Sequence, residues 1–235
     1  MPQKKKIRDR LIKRFYTKFN PEAYDEAGGN MPDLVANDQH PEVLFISCID
    51  SRVAPGMIFK MNPGEALNHR HIAGLVPPYD PAWEKPGADA PGIAASIDFA
   101  VQDKKVGNIS IKGHTMCGGI KAYSEGSASP LVKAWMSNAG PALNKIDRTQ
   151  EAEELLRQAE RECIKYSFRN LMTYPSIKQA MTEGRLAIEA WIHDIENGLL
   201  LRFDPQKDDF IILQEDGSDI TGHIKDTPAH KCSHD

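Results

Sequence analysis

Unbroken apolar runs of strand length alternate with helical stretches along this chain, and that alternation narrows the fold more than any other feature. The runs VLFISC at 43–48, GNISIKG at 107–113 and LAIEAWIH at 186–193 are bounded by Pro or Gly, as core strands are. Between them lie helical segments at about 91–103, opened by a proline in the first turn, at 118–125, and at 150–184, where Pro175 breaks the pattern. That order predicts an α/β fold with a mainly parallel central sheet, right-handed crossovers and helices on both faces. Asn197-Gly198 ahead of LLLRFD at 199–204 is a hairpin signal, so an antiparallel edge strand should follow, and DFIILQED at 209–216 reads as one more strand.

A chain of 235 residues with ordinary apolar and charged fractions can bury one sizeable core. Residues 5–19 place Ile7, Leu11, Ile12, Phe15, Tyr16 and Phe19 at helical spacing, with Lys and Arg on the other face, which predicts a helix docked on a neighbouring surface. The expected organisation is one domain over 1–235, made of an N-terminal helical arm at 1–36, an α/β core at 37–217 and a polar tail at 218–235. A net charge of −4 gives no general pull toward nucleic acid or anionic lipid. No stretch approaches the roughly 18 apolar residues of a membrane span, and the basic N-terminus is not followed by an apolar export segment. Four cysteines without paired spacing make no disulfide framework, which points to a reducing, cytoplasmic setting.

Two patches carry chemistry. Cys48-Ile49-Asp50-Ser51-Arg52 follows the first apolar run, and His114-Thr115-Met116-Cys117-Gly118-Gly119 follows the second. Each places its candidate ligand at the carboxyl end of a strand, the edge where open α/β sheets bind ligands. Cys48, His114 and Cys117 together offer two thiolates and an imidazole, a set suited to tetrahedral zinc with the fourth position free for water. Asp50 beside the first ligand can take that position or accept a hydrogen bond from the bound water, and Arg52 can hold it in the second role. Cys163, mid-helix, reads as a structural residue. His230, Cys232 and His234 in the tail read as adventitious metal binders.

The motifs C-x-D-S-R and H-x-x-C, in this order, are those of the β-class carbonic anhydrases, which this sequence resembles. The likeness extends through QHPEVLFISCIDSRV, MNPGEALNHRHIAGLVPPYD, SIDFAVQDKKVGNISIKGHTMCGGI and SFRNLMTYPSIKQAMTEGRLAIEAWIHDIENGLL. The PPYD segment and the turn after GGI resemble the plant-like branch more than the bacterial one. The resemblance implies zinc on Cys48, His114 and Cys117, one ion per subunit, with Asp50 and Arg52 as the dyad that keeps the fourth position open. It implies further that Gln39 hydrogen-bonds the substrate, that Leu67, Ile72 and Phe99 line an apolar CO₂ pocket, and that Phe99 reaches it across a dimer interface. A homodimer or higher homo-oligomer is therefore expected.

The activity expected is reversible hydration of CO₂ to bicarbonate and a proton, by attack of a hydroxide formed from water that zinc acidifies from a pKa of about 15.7 to about 7. Leu67 stands where the family usually has an aromatic residue, His71 where Asn is common, and Lys112 where the strand usually has an apolar residue. These departures bear on pocket shape and rate. His69 and His71 flank Arg70 on alternating sides of the chain, so either is a candidate proton shuttle or a structural histidine. Hydrolysis of carbonyl sulfide or carbon disulfide on the same ligands is the competing enzymatic reading. A non-catalytic structural zinc site is the competing reading of another class, and it needs a fourth Cys or His near the three.

Overall fold

A computed structural model describes residues 2–25, 30–214 and 219–220. Seven strands form one sheet: β1 Val43–Cys48, β2 Ala66–His71, β3 Asn108–His114, β4 Ala187–Asp194, β5 Leu199–Asp204, β6 Asp209–Leu213 and β7 Asp219–Ile220. Their order across the sheet is β2-β1-β3-β4-β5-β6-β7. The first four are mutually parallel, and β5, β6 and β7 continue as antiparallel neighbours. The expected hairpin after Asn197-Gly198 is thus present, and the parallel core with its antiparallel edge is the architecture the alternation predicts. The second strand in sequence lies on one side of β1 and the third on the other, so the order reverses between β1 and β3. The crevice at such a reversal, beyond the carboxyl ends of the strands, is where sheets of this kind hold ligands.

The helices are α1 Pro2–Arg14, α2 Asn20–Tyr24, α3 Met31–Asn37, α4 Pro55–Ile58, α5 Gly92–Asp98, α6 Gly118–Ser124, α7 Pro130–Met136, α8 Gly140–Leu143, α9 Ala152–Leu171 and α10 Pro175–Thr182. The helix expected at 5–19 runs on through a wide turn at Phe15–Phe19 into α2, and the segment expected at 150–184 divides at Pro175 into α9 and α10. Proline opens a helix readily, because its missing N–H has no partner in the first turn. Along the arm, Ile7, Leu11, Ile12, Phe15, Tyr16 and Phe19 are all exposed, so its apolar stripe is uncovered within one subunit. No helix among the described residues is long and apolar enough to cross a membrane. His230, Cys232 and His234 lie outside the described residues.

Alternation along the strands splits the sheet into two faces. Leu44, Ile46, Ile109, Ile111, Ala190 and Ile192 bury against Ile93 and Ile97 of α5, Ile164 and Leu171 of α9, and Ile177 and Ala180 of α10. Burying an aliphatic side chain of this size is worth about 1.5–3 kcal/mol, so this face supplies most of the fold's hydrophobic stabilisation. Gly113 lets α9 settle there: a Cβ at that position would meet the Ile164 side chain, its Cγ1 at 2.5 Å, so Ile164 would have to shift.

The opposite face is more polar. Phe45 stacks on Phe59 at 5.3 Å between ring centroids, and Lys112, only 1 % exposed, points its Nζ over Phe59 at 4.9 Å. That ammonium has no hydrogen-bond partner among the described residues. Burial, with Arg70 nearby, pushes its pKa down to about 8. A group that binds its proton more weakly folded than unfolded destabilises the fold below the folded pKa, and the penalty fades as pH rises toward the ordinary lysine value. Lys112→Met should therefore melt above the parent at pH 7, and the gap should narrow between about pH 8 and about pH 10 in a series of thermal melts. A gap independent of pH would refute this assignment of the cost.

Candidate metal centre

β1 and β3 are adjacent and parallel, so their carboxyl ends arrive together. Cys48 ends β1, His114 ends β3, and Cys117 opens α6 three residues later. All three are buried, and their ligating atoms lie within 4.8 Å of one another. The two sulfurs are 4.0 Å apart. That is far too long for a disulfide and close to the ~3.8 Å between two thiolates on one tetrahedral zinc at Zn–S distances of about 2.3 Å.

His114 supports the same reading. Its Nδ1 donates to the Thr115 carbonyl at 2.8 Å, which leaves Nε2 with its lone pair free, and Nε2 is buried without a hydrogen-bond partner among the described residues. A buried polar atom left unpaired costs about 1–3 kcal/mol, and a metal ion satisfies it. No fourth Cys, His, Asp or Glu of the described residues joins the group. The set therefore fits a metal with one coordination position left over.

The electrostatics call for a cation. The hydrogen shared with Cys117 pulls the Cys48 thiol well below the ordinary thiol range, against its burial, with help from His114 and the Asp50 peptide N–H. The same shared hydrogen, together with burial and the Cys48 charge, pushes Cys117 far up. One thiolate therefore forms easily and the second only against its neighbour, until a divalent ion takes the place of the proton. The Gly119 and Ile120 peptide N–H groups in the first turn of α6 already oppose that upward push on Cys117. Burial lowers the basicity of His114, but its contacts with Cys48 outweigh that and raise its pKa.

Asp50 and Arg52, the residues expected to act as a dyad, form an ion pair. Arg52 donates from Nε to Asp50 Oδ1 at 3.0 Å and from Nη2 to Oδ2 at 2.7 Å, and its backbone N adds a third bond to Oδ1 at 2.9 Å. Hydrogen bonds from the Arg52 guanidinium hold the Asp50 carboxyl well below the usual carboxylate range. A carboxylate with a lowered pKa stabilises the fold above its ordinary value and loses that contribution only as pH falls through the lowered one, so the pair stays ionised throughout neutral pH. Arg52 Nη2 also reaches the Met116 carbonyl at 3.3 Å, tying the first patch to the second.

The remaining predicted residues separate into two groups. Ile72 follows β2 and lies against Gly119, where an added Cβ would clash with Ile72 Cγ2, so it belongs to the end of the sheet that carries the Cys48, His114 and Cys117 group. Gln39, Leu67 and Phe99 belong to the opposite end. Leu67 pairs with Leu44, four residues before Cys48 and hence about 13 Å away along the strand. Gln39 precedes β1 altogether, its backbone N bonded to Asp38 Oδ1 at 2.7 Å. Asp38 in turn accepts from Lys104 Nζ at 2.7 Å, and that ammonium lies 5.8 Å from the Phe99 ring, which is 43 % exposed.

His69 and His71 are both engaged. His69 Nδ1 contacts Ser96 Oγ at 2.9 Å, and His71 Nε2 contacts the Leu75 carbonyl at 2.6 Å while its ring meets Trp135 edge-on. Burial lowers both pKa values, that of His71 to about 4. Cys163 is fully buried, and burial pushes its thiol up to about 12, in keeping with a structural role. Two further residues shape the site. Arg70 donates to the Cys48 carbonyl at 3.0 Å and the Asp50 carbonyl at 2.6 Å, and Glu160 accepts from the Cys117 backbone N at 2.7 Å.

A family model for carbonic anhydrase matches residues 43–200. The carbonic anhydrase of Pseudomonas aeruginosa is 32 % identical over 205 residues, covering 85 % of this chain and 90 % of that protein. Carbonic anhydrase 1 of Escherichia coli O157:H7 is 33 % identical over 204 residues, covering 84 % and 89 %. Among solved structures, the β-carbonic anhydrase CcaA superposes with a TM-score of 0.75 at 28 % identity, over 89 % of this chain and 99 % of that one. One of two tetrameric β-carbonic anhydrases from Sordaria macrospora does so with a TM-score of 0.67 at 25 % identity, over 84 % and 96 %. Fold, strand-end donor group and relatives converge: the chain belongs to the carbonic anhydrase family, in its β class, and is a carbonic anhydrase.

Proposed function

We propose that each subunit holds one zinc ion on Cys48, His114 and Cys117 and interconverts CO₂ with bicarbonate and a proton. The observation that carries this reading is the buried Nε2 of His114, without a hydrogen-bond partner among the described residues and within 4.8 Å of two buried thiols, with Asp50 restrained close by. When bound, zinc supplies the Lewis acidity that lets a water ionise near neutral pH. The chain's own residues do the rest. The Arg52 clamp keeps Asp50 ionised and off the metal, as an acceptor that orients the attacking water. Burial of the ligands keeps the site in a low-dielectric setting, where fixed charges act strongly on the developing bicarbonate.

Ile72 serves the pocket of its own subunit. Gln39, Leu67 and Phe99, at the far end of the sheet, reach a metal centre only in a second copy, so the working unit is a homodimer or a higher homo-oligomer. Phe99 is exposed, as such a role requires, and the uncovered apolar stripe of the arm needs a partner surface. In that assembly Gln39 orients one CO₂ oxygen while Leu67, Phe99 and Ile72 surround the apolar substrate. Metal ligands that are free thiols suit a reducing, cytoplasmic setting.

Stopped-flow hydration assays on the zinc-loaded protein test the reading. With two anionic sulfurs and one neutral nitrogen, the ligands acidify water less than three imidazoles do, so hydration should rise from about pH 6.5 toward about pH 9. A flat profile would contradict the account. Sulfide release from carbonyl sulfide, measured side by side, should stay far below CO₂ hydration; the reverse ranking would assign the site to the other substrate.

A further inference from the structure

We propose that Glu160 is a positioning residue for the metal centre, fixing the peptide that joins Met116 to Cys117 so that the Cys117 sulfur is presented to zinc. The inference rests on the zinc reading above. Glu160 is 2 % exposed and lies on the buried side of α9 with Ala159, Cys163 and Ile164. A carboxylate there loses most of its hydration and is tolerated only where donors replace it. Its donors are the Cys117 backbone N at 2.7 Å and Arg157 Nη1 at 3.1 Å. Arg157 is itself largely covered and also pairs with Glu196, on the turn between β4 and β5.

The peptide so held is under strain. Met116 has φ of 58°, the left-handed region that a non-glycine residue occupies only when its surroundings enforce it. Two groups enforce it from opposite sides of one peptide plane: Arg52 donates to the Met116 carbonyl, and Glu160 accepts from the Cys117 N–H. Thr115, one residue earlier, is fixed by its backbone N to the His193 carbonyl at 3.0 Å, so a loosened loop moves at the 116–117 peptide. Turning about the Met116 N–Cα bond relaxes its φ to negative values and, with Thr115 held, carries the 116–117 peptide and the Cys117 sulfur away from Cys48 and His114. Glu160 touches no reacting atom; it acts through the backbone of a ligand.

Glu160→Leu, which keeps the packing volume but accepts no hydrogen bond, is to be compared with Glu160→Gln, which retains a carbonyl oxygen for the Cys117 N–H. Zinc affinity is read by competition with a chromogenic chelator, and the sulfur-to-cobalt charge-transfer band is read after cobalt substitution. E160L should lose about 10- to 100-fold in zinc affinity and shift or weaken that band, the usual cost of removing an outer-sphere partner. E160Q should stay within about threefold of the parent, because the acceptor is preserved. Parental affinity and an unchanged band in E160L, or an equal loss in both variants, would overturn the proposal. Melting of the metal-free proteins shows whether each variant folds, and if E160L does not, Glu160→Ala replaces it under the same criteria. A parent protein that binds no zinc would defeat the zinc reading itself, a result distinct from either.

Discussion

Cys48→Ser and His114→Ala should each yield a folded protein that no longer carries zinc and has lost CO₂ hydration by about 10³-fold or more. Serine at 48 is nearly isosteric, but its hydroxyl stays protonated at neutral pH and so offers no anion, and the remaining donors, a thiol and an imidazole, hold zinc weakly. Alanine at 114 removes the buried nitrogen that has no hydrogen-bond partner among the described residues and is proposed to bind the metal. The size of the loss follows from the chemistry. Water off the metal has a pKa of about 15.7 against about 7 on it, so the population of attacking hydroxide at neutral pH collapses. Metal analysis of the purified variants and an initial-rate assay decide the matter together. A variant with full activity would remove the basis for the zinc reading, and one that keeps stoichiometric zinc without activity would mark the lost residue as catalytic rather than ligating.

Arg52→Ala should separate metal binding from turnover: zinc retained, hydration down by about tenfold to a hundredfold. The guanidinium contributes two of the three hydrogen bonds that hold Asp50 away, and it is half exposed, so its worth is less than that of a buried pair. Without it Asp50 keeps one bond, from the residue 52 backbone, and its carboxylate is free to become the fourth ligand and close the site. Zinc should therefore bind at least as tightly while the open position disappears. Loss of zinc along with activity would mean that Arg52 supports the ligands instead, through its contact with the Met116 carbonyl. Full activity would mean that Asp50 needs no restraint.

Much of this architecture was legible from the residues because each core strand is a short apolar run buried on the helix-covered face, and such runs stand out at any register. The candidate ligands were legible for the same reason, since Cys48 and His114 end two of those runs. β2 was far less visible in extent: ALNHRH is an edge strand, half-buried along most of its length, and carries no apolar run. The short helices α7 and α8 also escaped, opening at Pro130 and running at Gly140-Pro141 through residues that read as loop.

Two parts of the site were hidden in different ways. Glu160 shares a helical face with Ala159, Cys163 and Ile164, and a lone acid on a buried stripe is a usable signal. What the acid holds depends on tertiary contact. Arg70 gave no such sign, because its role is to bond carbonyls of the neighbouring strand and the loop beyond it. The distance of Gln39, Leu67 and Phe99 from the metal end follows from strand direction and register, which motif spacing does not encode.

The two sides of the crevice belong to segments far apart along the chain, and only the paired β1 and β3 bring them together. Of the three candidate ligands only His114 and Cys117 are close in sequence, so the full set forms only once the sheet has zipped, and the incoming cation then rivets its central seam. Stripped of that rivet, two sulfurs sharing one proton are left at the join, and the metal-free protein is expected to melt below the zinc-loaded one.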